Sequence, residues 1–562
     1  MTAISFIART TLAILLLASP SLAQYLGEIT FEDTRVHEPT GHAWEQFGIA
    51  VAMSGEWAMV GYRYQDTGNL LSTGGVVIFQ RQTTGWVETQ RYVPTDVEAG
   101  DQVGTTLAMD GSTALVGSPS RGAGAVYVLQ RVGTSWQEVQ KIEGMEDDSY
   151  FGGALALEGD TLVASAVGEG RLGPQSGAVH VYRRTAGVWD LYEILLPAGV
   201  PAGLPAPWFF GASVALSGNT IAAGMRTGSY TGWPPVYFSE QVFLYELSGP
   251  SWQQSALLVN PLVQTPGDPG SSFGWSIALD GDRLAIGAPR YVPDDGPDSA
   301  VCLYQRTAPG AWALQQVIRP SQSIPAAPGG TDGFGTRVVL KGETLLIGAP
   351  KAMRDPGDPE RTGQAYVFTE SAVGFVEEQV LQSSGPIEHE GELGSAVAMS
   401  GHYVLVSDSR GGFFPNSLGG AAYFFERNLG TPYCNAQANS TGNVPELRVT
   451  GSLQASDETL SLRARDLPPG QPGLALLARA QGYTAHPGGS VGDLCIGGAM
   501  ARAGVAMADA EGRLFLPLDP SAVPLNPAVA IQAGETWFFQ LWYRDLPAGT
   551  SNLTRAVQVD FE

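Results

Sequence analysis

The stretch FGWSIALDGDRLAIGAP, Phe273–Pro289, decides how the rest of the chain is read. It sets Asp280-Gly281-Asp282 inside an apolar run, a composition that suits a calcium loop and a turn equally. Six related stretches begin at Phe47 (FGIAVAMSGEWAMVG), Val103 (VGTTLAMDGSTALVG), Phe151 (FGGALALEGDTLVAS), Phe210 (FGASVALSGNTIAAG), Phe334 (FGTRVVLKGETLLIG) and Leu393 (LGSAVAMSGHYVLVS). In all seven, an x-Gly pair separates two apolar runs: Ser54-Gly55, Asp110-Gly111, Glu158-Gly159, Ser217-Gly218, Asp280-Gly281, Lys341-Gly342 and Ser400-Gly401. A two-residue hairpin is predicted at each, with Gly accepting positive φ. Such a turn is too short to wrap a cation that takes about 6–8 oxygen ligands. Other copies put Ser, Glu or Lys where Asp280 stands, which a turn tolerates and a metal site does not.

The copies are spaced 56, 48, 59, 63, 61 and 59 residues apart. Each continues into a Gly-Ala-Val-Tyr-Val-Phe-like run, such as Gly74–Phe79, Gly124–Val128 or Gly177–Val181. A fourth run opens on Trp86, Trp136, Trp189, Trp252, Trp312 or Phe375. Alternation, β-branched residues and glycine punctuation make all four runs strands. Four antiparallel strands repeated seven times predict an all-β, seven-bladed β-propeller, in which radial packing leaves only short edges. The seventh copy lacks its fourth strand after Ala421–Phe425, and Gly27–Glu32 precedes the first copy where such a strand belongs. The N-terminal run is therefore expected to complete the seventh blade.

Phe-Gly at the start of the copies and Gly-Ala-Pro at 287–289 and 348–350 resemble FG-GAP repeats, the units of the integrin α-subunit propeller head and of many exported bacterial proteins. The resemblance spans residues 25–427. It departs from integrin-type blades, which often carry an Asp-x-Asp-x-Asp-Gly calcium loop between their first two strands. Calcium dependence is accordingly not expected, and no cofactor or metal is implied.

The chain has 562 residues, with Gly 72 and Pro 38, so turns are frequent. Its 55 acidic and 31 basic side chains give a formal net charge of −24, which argues against nucleic acid or an anionic membrane as partner. Arg9, the apolar run Leu12–Ala18 and Ser21-Leu22-Ala23 read as a secretory signal over residues 1–23, with the mature chain starting near Gln24. A retained transmembrane anchor is the rival reading, but the apolar run falls short of the roughly 20 residues a bilayer needs. Export to the medium or cell surface, with no membrane insertion after signal removal, is the expectation.

The propeller is expected over residues 24–427. Beyond it the pattern breaks at Leu429–Cys434, and residues 428–562 read as a small C-terminal β-sandwich. Tyr433-Cys434-Asn435, Leu494–Gly498 and Gln540–Asp545 are similar to a C-terminal module of exported proteins of environmental bacteria. Of three cysteines, Cys434 and Cys495 share this region and are expected to form a disulfide, leaving Cys302 as a buried thiol in the fifth blade. Asn439-Ser440-Thr441 and Asn552-Leu553-Thr554 are glycosylation sequons.

No catalytic constellation stands out. His37 and His42 alone among six histidines are close enough to suggest a metal pair, and they lack a third ligand nearby. No Gly-x-Ser-x-Gly elbow embeds a serine between a strand and a helix, and no phosphate cradle is expected, since the glycines punctuate hairpins and do not open helices. In an up-and-down blade, second-to-third loops and blade-to-blade links share one face, and here they are long. They carry Tyr62, Tyr64, Tyr230, Trp233, Tyr291 and Phe413, the candidate ligand-binding residues, because binding groups reside on loops held by a rigid scaffold. The bland alternative is that these aromatics fold over their own loops. The leading expectation is a non-enzymatic, monomeric, adhesion-type propeller that offers this face to an extracellular protein or glycan. Two alternatives are a polysaccharide hydrolase or lyase with Asp294 and Asp355 as acid and base, about 5–9.5 Å apart, and a purely architectural surface protein.

Overall fold

The computed structural model describes residues 32–37, 46–82, 85–200, 208–229, 236–262, 272–289, 299–321, 332–353, 362–382, 391–401, 403–409, 420–426, 429–451, 460–510, 512–545 and 550–561. The chain divides into two compact units, Ile29–Leu429 with Thr450–Ser452, and a second built on Gly430–Val449 and Leu453–Glu562. The described residues are almost entirely β.

Among the described residues, the larger unit holds seven four-stranded antiparallel sheets, consistent with a β-propeller. The first comprises Phe47–Ser54, Trp57–Tyr62, Gly75–Gln82 and Gly85–Tyr92; the second Thr106–Asp110, Thr113–Ser118, Ala125–Val132 and Ser135–Glu143. The third comprises Phe151–Glu158, Thr161–Ala166, Ala178–Thr185 and Val188–Leu195; the fourth Ser213–Ser217, Thr220–Ser229, Val236–Ser248 and Ser251–Val259. The fifth comprises Ser276–Asp280, Arg283–Ala288, Ala300–Ala308 and Ala311–Ile318; the sixth Arg337–Lys341, Thr344–Ala349, Gln364–Ser371 and Gly374–Leu381. In the seventh, Leu393–Ser400, Tyr403–Asp408 and Ala421–Glu426 are joined by the N-terminal strand Glu32–His37. That strand runs antiparallel to the third, from Glu32 opposite Phe425 to His37 opposite Ala421. The N-terminal completion of the last sheet thus uses Glu32–His37, a few residues beyond the expected Gly27–Glu32.

Each first hairpin has two turn residues, but one position later than the x-Gly pair. Ser54 pairs Trp57 and Asp280 pairs Arg283, so Gly55-Glu56 and Gly281-Asp282 form the turns and x is the last strand residue. The turn glycines have φ between 52° and 58°. Gly at the first turn position with positive φ is the signature of the hairpin turn whose twist matches the strands.

The shift gives x a task. Its side chain accepts a hydrogen bond from the turn-glycine N–H of the next sheet: Ser54 from Gly111 (2.8 Å), Asp110 from Gly159 (2.6 Å) and Glu158 from Gly218 (2.7 Å). The series continues with Ser217 and Gly281 (3.0 Å), Asp280 and Gly342 (2.9 Å), and Ser400 back to Gly55 (2.8 Å). Asp280 also pairs with Arg283 at 2.9 Å. Asp280-Gly281-Asp282 is therefore a turn whose first carboxylate stitches two sheets. Lys341 holds the equivalent place in the sixth sheet and carries a donor instead of an acceptor.

The first strand of each sheet lies against the first strand of the next, and the seventh against the first. Phe47, Val103, Phe151, Phe210, Phe273, Phe334 and Leu393 are buried at these junctions, worth roughly 1.5–3 kcal/mol each as transferred side chains. The glycine after each of them sits where a Cβ would meet the preceding sheet; at Gly104 it would come within 2.2 Å of the Gly75 carbonyl oxygen. Hydroxyls reinforce the seam: Thr106 donates to the Gly152 carbonyl (2.6 Å), Ser276 to Gly335 (2.7 Å) and Ser407 to Gly48 (2.6 Å). Fourth strands are clamped by glutamines. Gln90 grips the backbone of Trp136, and Gln140 that of Trp189, each through both its amide nitrogen and oxygen. Trp86 stacks on Phe424, centroids 4.7 Å apart, tying the first sheet to the seventh.

The smaller unit contains a six-stranded sheet, with Thr431–Tyr433, Ala556–Asp560, Thr536–Asp545, Pro472–Thr484 and Leu494–Met507 in order and Thr550–Leu553 paired to Thr536–Asp545. A second sheet has Glu446–Thr450, Ser461–Arg465 and Leu514–Pro517. Cys434 and Cys495 form a disulfide with Cα atoms 6.3 Å apart, and Cys302 is a buried free thiol in the fifth sheet. Both sequon asparagines are buried. Asn439 donates to the Asp466 carbonyl and accepts from Thr441, while Asn552 Oδ1 accepts from the Leu553 N–H. Their amides serve the fold and are not presented for modification.

Candidate functional surface

The two ends of the sheets differ in kind. At one end, first-to-second hairpins have two turn residues in all seven sheets, and third-to-fourth hairpins have two in the first six. At the other end, second-to-third loops and the links between sheets meet.

In the first three sheets these segments hydrogen-bond into a continuous band. Gly100 and Gln102 donate to the carbonyls of Leu71 and Ser72 (2.9 and 3.2 Å), tying the first link to the first loop. The Ser118 hydroxyl donates to the Asp101 carbonyl (2.9 Å), and Arg121 pairs with Glu98. Asp148 N–H donates to Gly122 (2.8 Å), Gly168 N–H to Ser149 (2.9 Å) and Trp208 N–H to Gln175 (3.1 Å), carrying the band on to the fourth sheet.

A buried carboxylate–imidazole hydrogen bond pins this band in the third sheet. Glu169, in the loop after Ala166, and His180, in the third strand, are both fully buried, with Glu169 Oε2 2.6 Å from His180 Nε2. Arg171 pairs with the other carboxylate oxygen. Burial works to raise the Glu169 carboxyl, but hydrogen bonds and charge from His180 and Arg171 outweigh it and hold the group below the ordinary carboxylate range. His180 holds the position that Tyr127, Cys302 and Tyr366 hold in other sheets, each opposite the fourth residue of the second strand, Ala164, Val116, Ile286 and Ile347 respectively. Glu169 lies in an irregular loop, so no strand pattern in the sequence pairs it with His180.

Of the candidate binding aromatics, Tyr62 requires correction: it is the last residue of its strand, paired to Phe47 and Gly75 and only 1% exposed, so it packs inside the sheet. Tyr64 is part-buried in the loop, its ring 4.8 Å from the Arg63 guanidinium, and Arg63 Nε donates to Gln46 (2.6 Å). Tyr230, Trp233, Tyr291 and Phe413 lie outside the described residues, as do His42, Asp294 and Asp355. The band instead exposes the apolar side chains of Leu70, Leu71, Met145 and Leu172, together with Tyr150. Among the described residues no group of three or more His, Cys, Asp or Glu is placed to hold a metal ion. No helix among them is long and apolar enough to cross a membrane.

Residues 86–129 and 136–182 match the FG-GAP repeat family. The chain thus carries FG-GAP repeats in an all-β framework of four-stranded sheets. Each matched span begins on the fourth strand of one sheet and ends in the third strand of the next. A search of curated proteins finds no match to the chain.

Proposed function

We propose that this is an exported or cell-surface, seven-bladed FG-GAP propeller followed by a β-sandwich, and that it works as a non-enzymatic binding protein. Its long-loop face engages an extracellular protein or glycan. The observation that carries this reading is the asymmetry of the two faces: tight hairpins stitched together by side chains at one end, and at the other a hydrogen-bonded band of loops with exposed apolar residues. A fixed backbone carrying exposed side chains lowers the ordering cost of association. Residues 1–23 act as the export signal, and the mature chain is a monomer.

The test is a glycan array and an extracellular-protein pull-down with the mature chain. Retention of a ligand that is lost on Tyr64→Ala, Trp233→Ala or Tyr291→Ala, with an unchanged melting temperature, supports the reading. Retention indifferent to every substitution on that face, or turnover of a polysaccharide, overturns it.

A further inference from the structure

We propose that the surface between the link 144–150 and the loop 167–173 docks a basic, aliphatic-bearing polypeptide segment of a partner protein; this deepens the binding reading above and rests on it. Met145, Tyr150 and Leu172 stand 50%, 43% and 46% exposed there. Glu146, Asp147 and Asp148 are exposed in the same link. Arg171 is committed within the surface, to the Glu169 carboxylate and, at 3.4 Å, to the Met145 sulfur. Arg171 and the buried Glu169 offset one another, so the three exposed carboxylates, Glu146, Asp147 and Asp148, leave the two segments with a net charge of −3.

The occupant follows from that combination. A neutral glycan would desolvate the carboxylates without returning a charge, and nucleic acid or anionic lipid would be repelled. A segment with Lys or Arg beside aliphatic side chains answers both features, covering the apolar tips and complementing the charge. The surface is already ordered for it. Asp148 N–H donates to Gly122, Gly168 N–H to Ser149 and Gly170 N–H to Glu146 Oε2 (3.1 Å), and Asp148 and Tyr150 are fixed at φ 59° and 54°.

The probe is a random dodecapeptide display library panned on the mature full-length chain, followed by anisotropy titration of the enriched peptides. Enrichment of Lys or Arg with aliphatic residues is expected. Affinity should fall at least tenfold both in the Asp147→Asn/Asp148→Asn double variant and in Met145→Ser, with unchanged melting temperatures. Asn keeps the left-handed backbone at 148 accessible, so the double variant removes charge and not fold. Enrichment of acidic or uncharged peptides whose capture depends on this surface would overturn the basic-segment proposal and leave the long-loop face as a binding face. Loss with Asp147→Asn/Asp148→Asn but none with Met145→Ser means charge attraction alone, and also overturns it, as does a library without enrichment. Peptides lost only on substitution of the hairpin face overturn both readings.

Discussion

The Asp280 carboxylate accepts a hydrogen bond from the Gly342 N–H at 2.9 Å, joining the first hairpins of the fifth and sixth sheets. The same oxygen pairs with Arg283, so Asp280→Ala loses a contact between sheets and one within its own. A net loss of about 1–2 kcal/mol is expected, since an intramolecular hydrogen bond contributes about 0.5–1.5 kcal/mol and more with a charged partner. Conversely, Lys341→Ser places an acceptor at the sixth-to-seventh junction, with an expected gain of up to about 1 kcal/mol. Denaturant titration of both variants checks the pair of signs.

Two glycines of the sixth sheet should respond differently to alanine. At Gly342 nothing lies within 4 Å of an added Cβ, but φ is 52°, so Gly342→Ala should cost about 1–2 kcal/mol in backbone strain. At Gly348 the Cβ would come 2.1 Å from the Gly394 carbonyl oxygen in the next sheet. Backbone cannot rotate away, and Gly348→Ala is expected at or beyond the top of the roughly 1–3 kcal/mol range for overpacking. Melting temperatures of the two variants would rank them, and an equal loss would refute the junction argument.

Stability should fall in acid partly through Glu169. Because its folded carboxyl is held below the ordinary value of 4.5, its contribution is complete above that pH and is lost as the pH drops through the depressed folded value. Glu169→Gln should destabilise the protein at neutral pH, where His180 and Arg171 lose their charged partner, and flatten the decline below pH 4.5. Melts across acid pH for wild type and variant would show whether the slopes differ.

Thiol chemistry should separate the three cysteines. The Cys434–Cys495 bond closes a separation of 61 residues, for which chain entropy gives about 4 kcal/mol. Reduction should therefore lower the melting transition of the C-terminal unit. Burial pushes the Cys302 thiol up to about 12, so it should resist maleimide until denaturant is added. Peptide mapping without reductant that recovered Cys302 in a crosslink would contradict the assignment.

Calcium should leave the melting temperature unchanged, because the first hairpins are too tight to coordinate it. Melts in calcium and in chelator should superimpose. A drop of many degrees in chelator would direct attention to Pro293-Asp294-Asp295-Gly296.

The repeat, the strands within each copy and the two-residue length of the first hairpins were legible in the sequence because they are local: a period of two marks a strand, and glycine marks a turn. The need for an N-terminal strand in the last sheet was legible by counting, although its position at Glu32–His37 was not. Tertiary structure decided what the punctuating residues do. The turn begins at Gly281 and not at Asp280 because positive φ is required at the first turn position, and that one-residue shift frees Asp280 to reach Gly342, 62 residues away. Tyr62 reads as a loop aromatic beside Tyr64, yet ladder pairing to Phe47 and Gly75 draws it inside. Glu169 meets His180 only because a long loop folds back over its own sheet. A sequence pattern reports the preference of a residue's own backbone, whereas these roles are set by neighbours that the folded sheets alone bring within hydrogen-bonding distance.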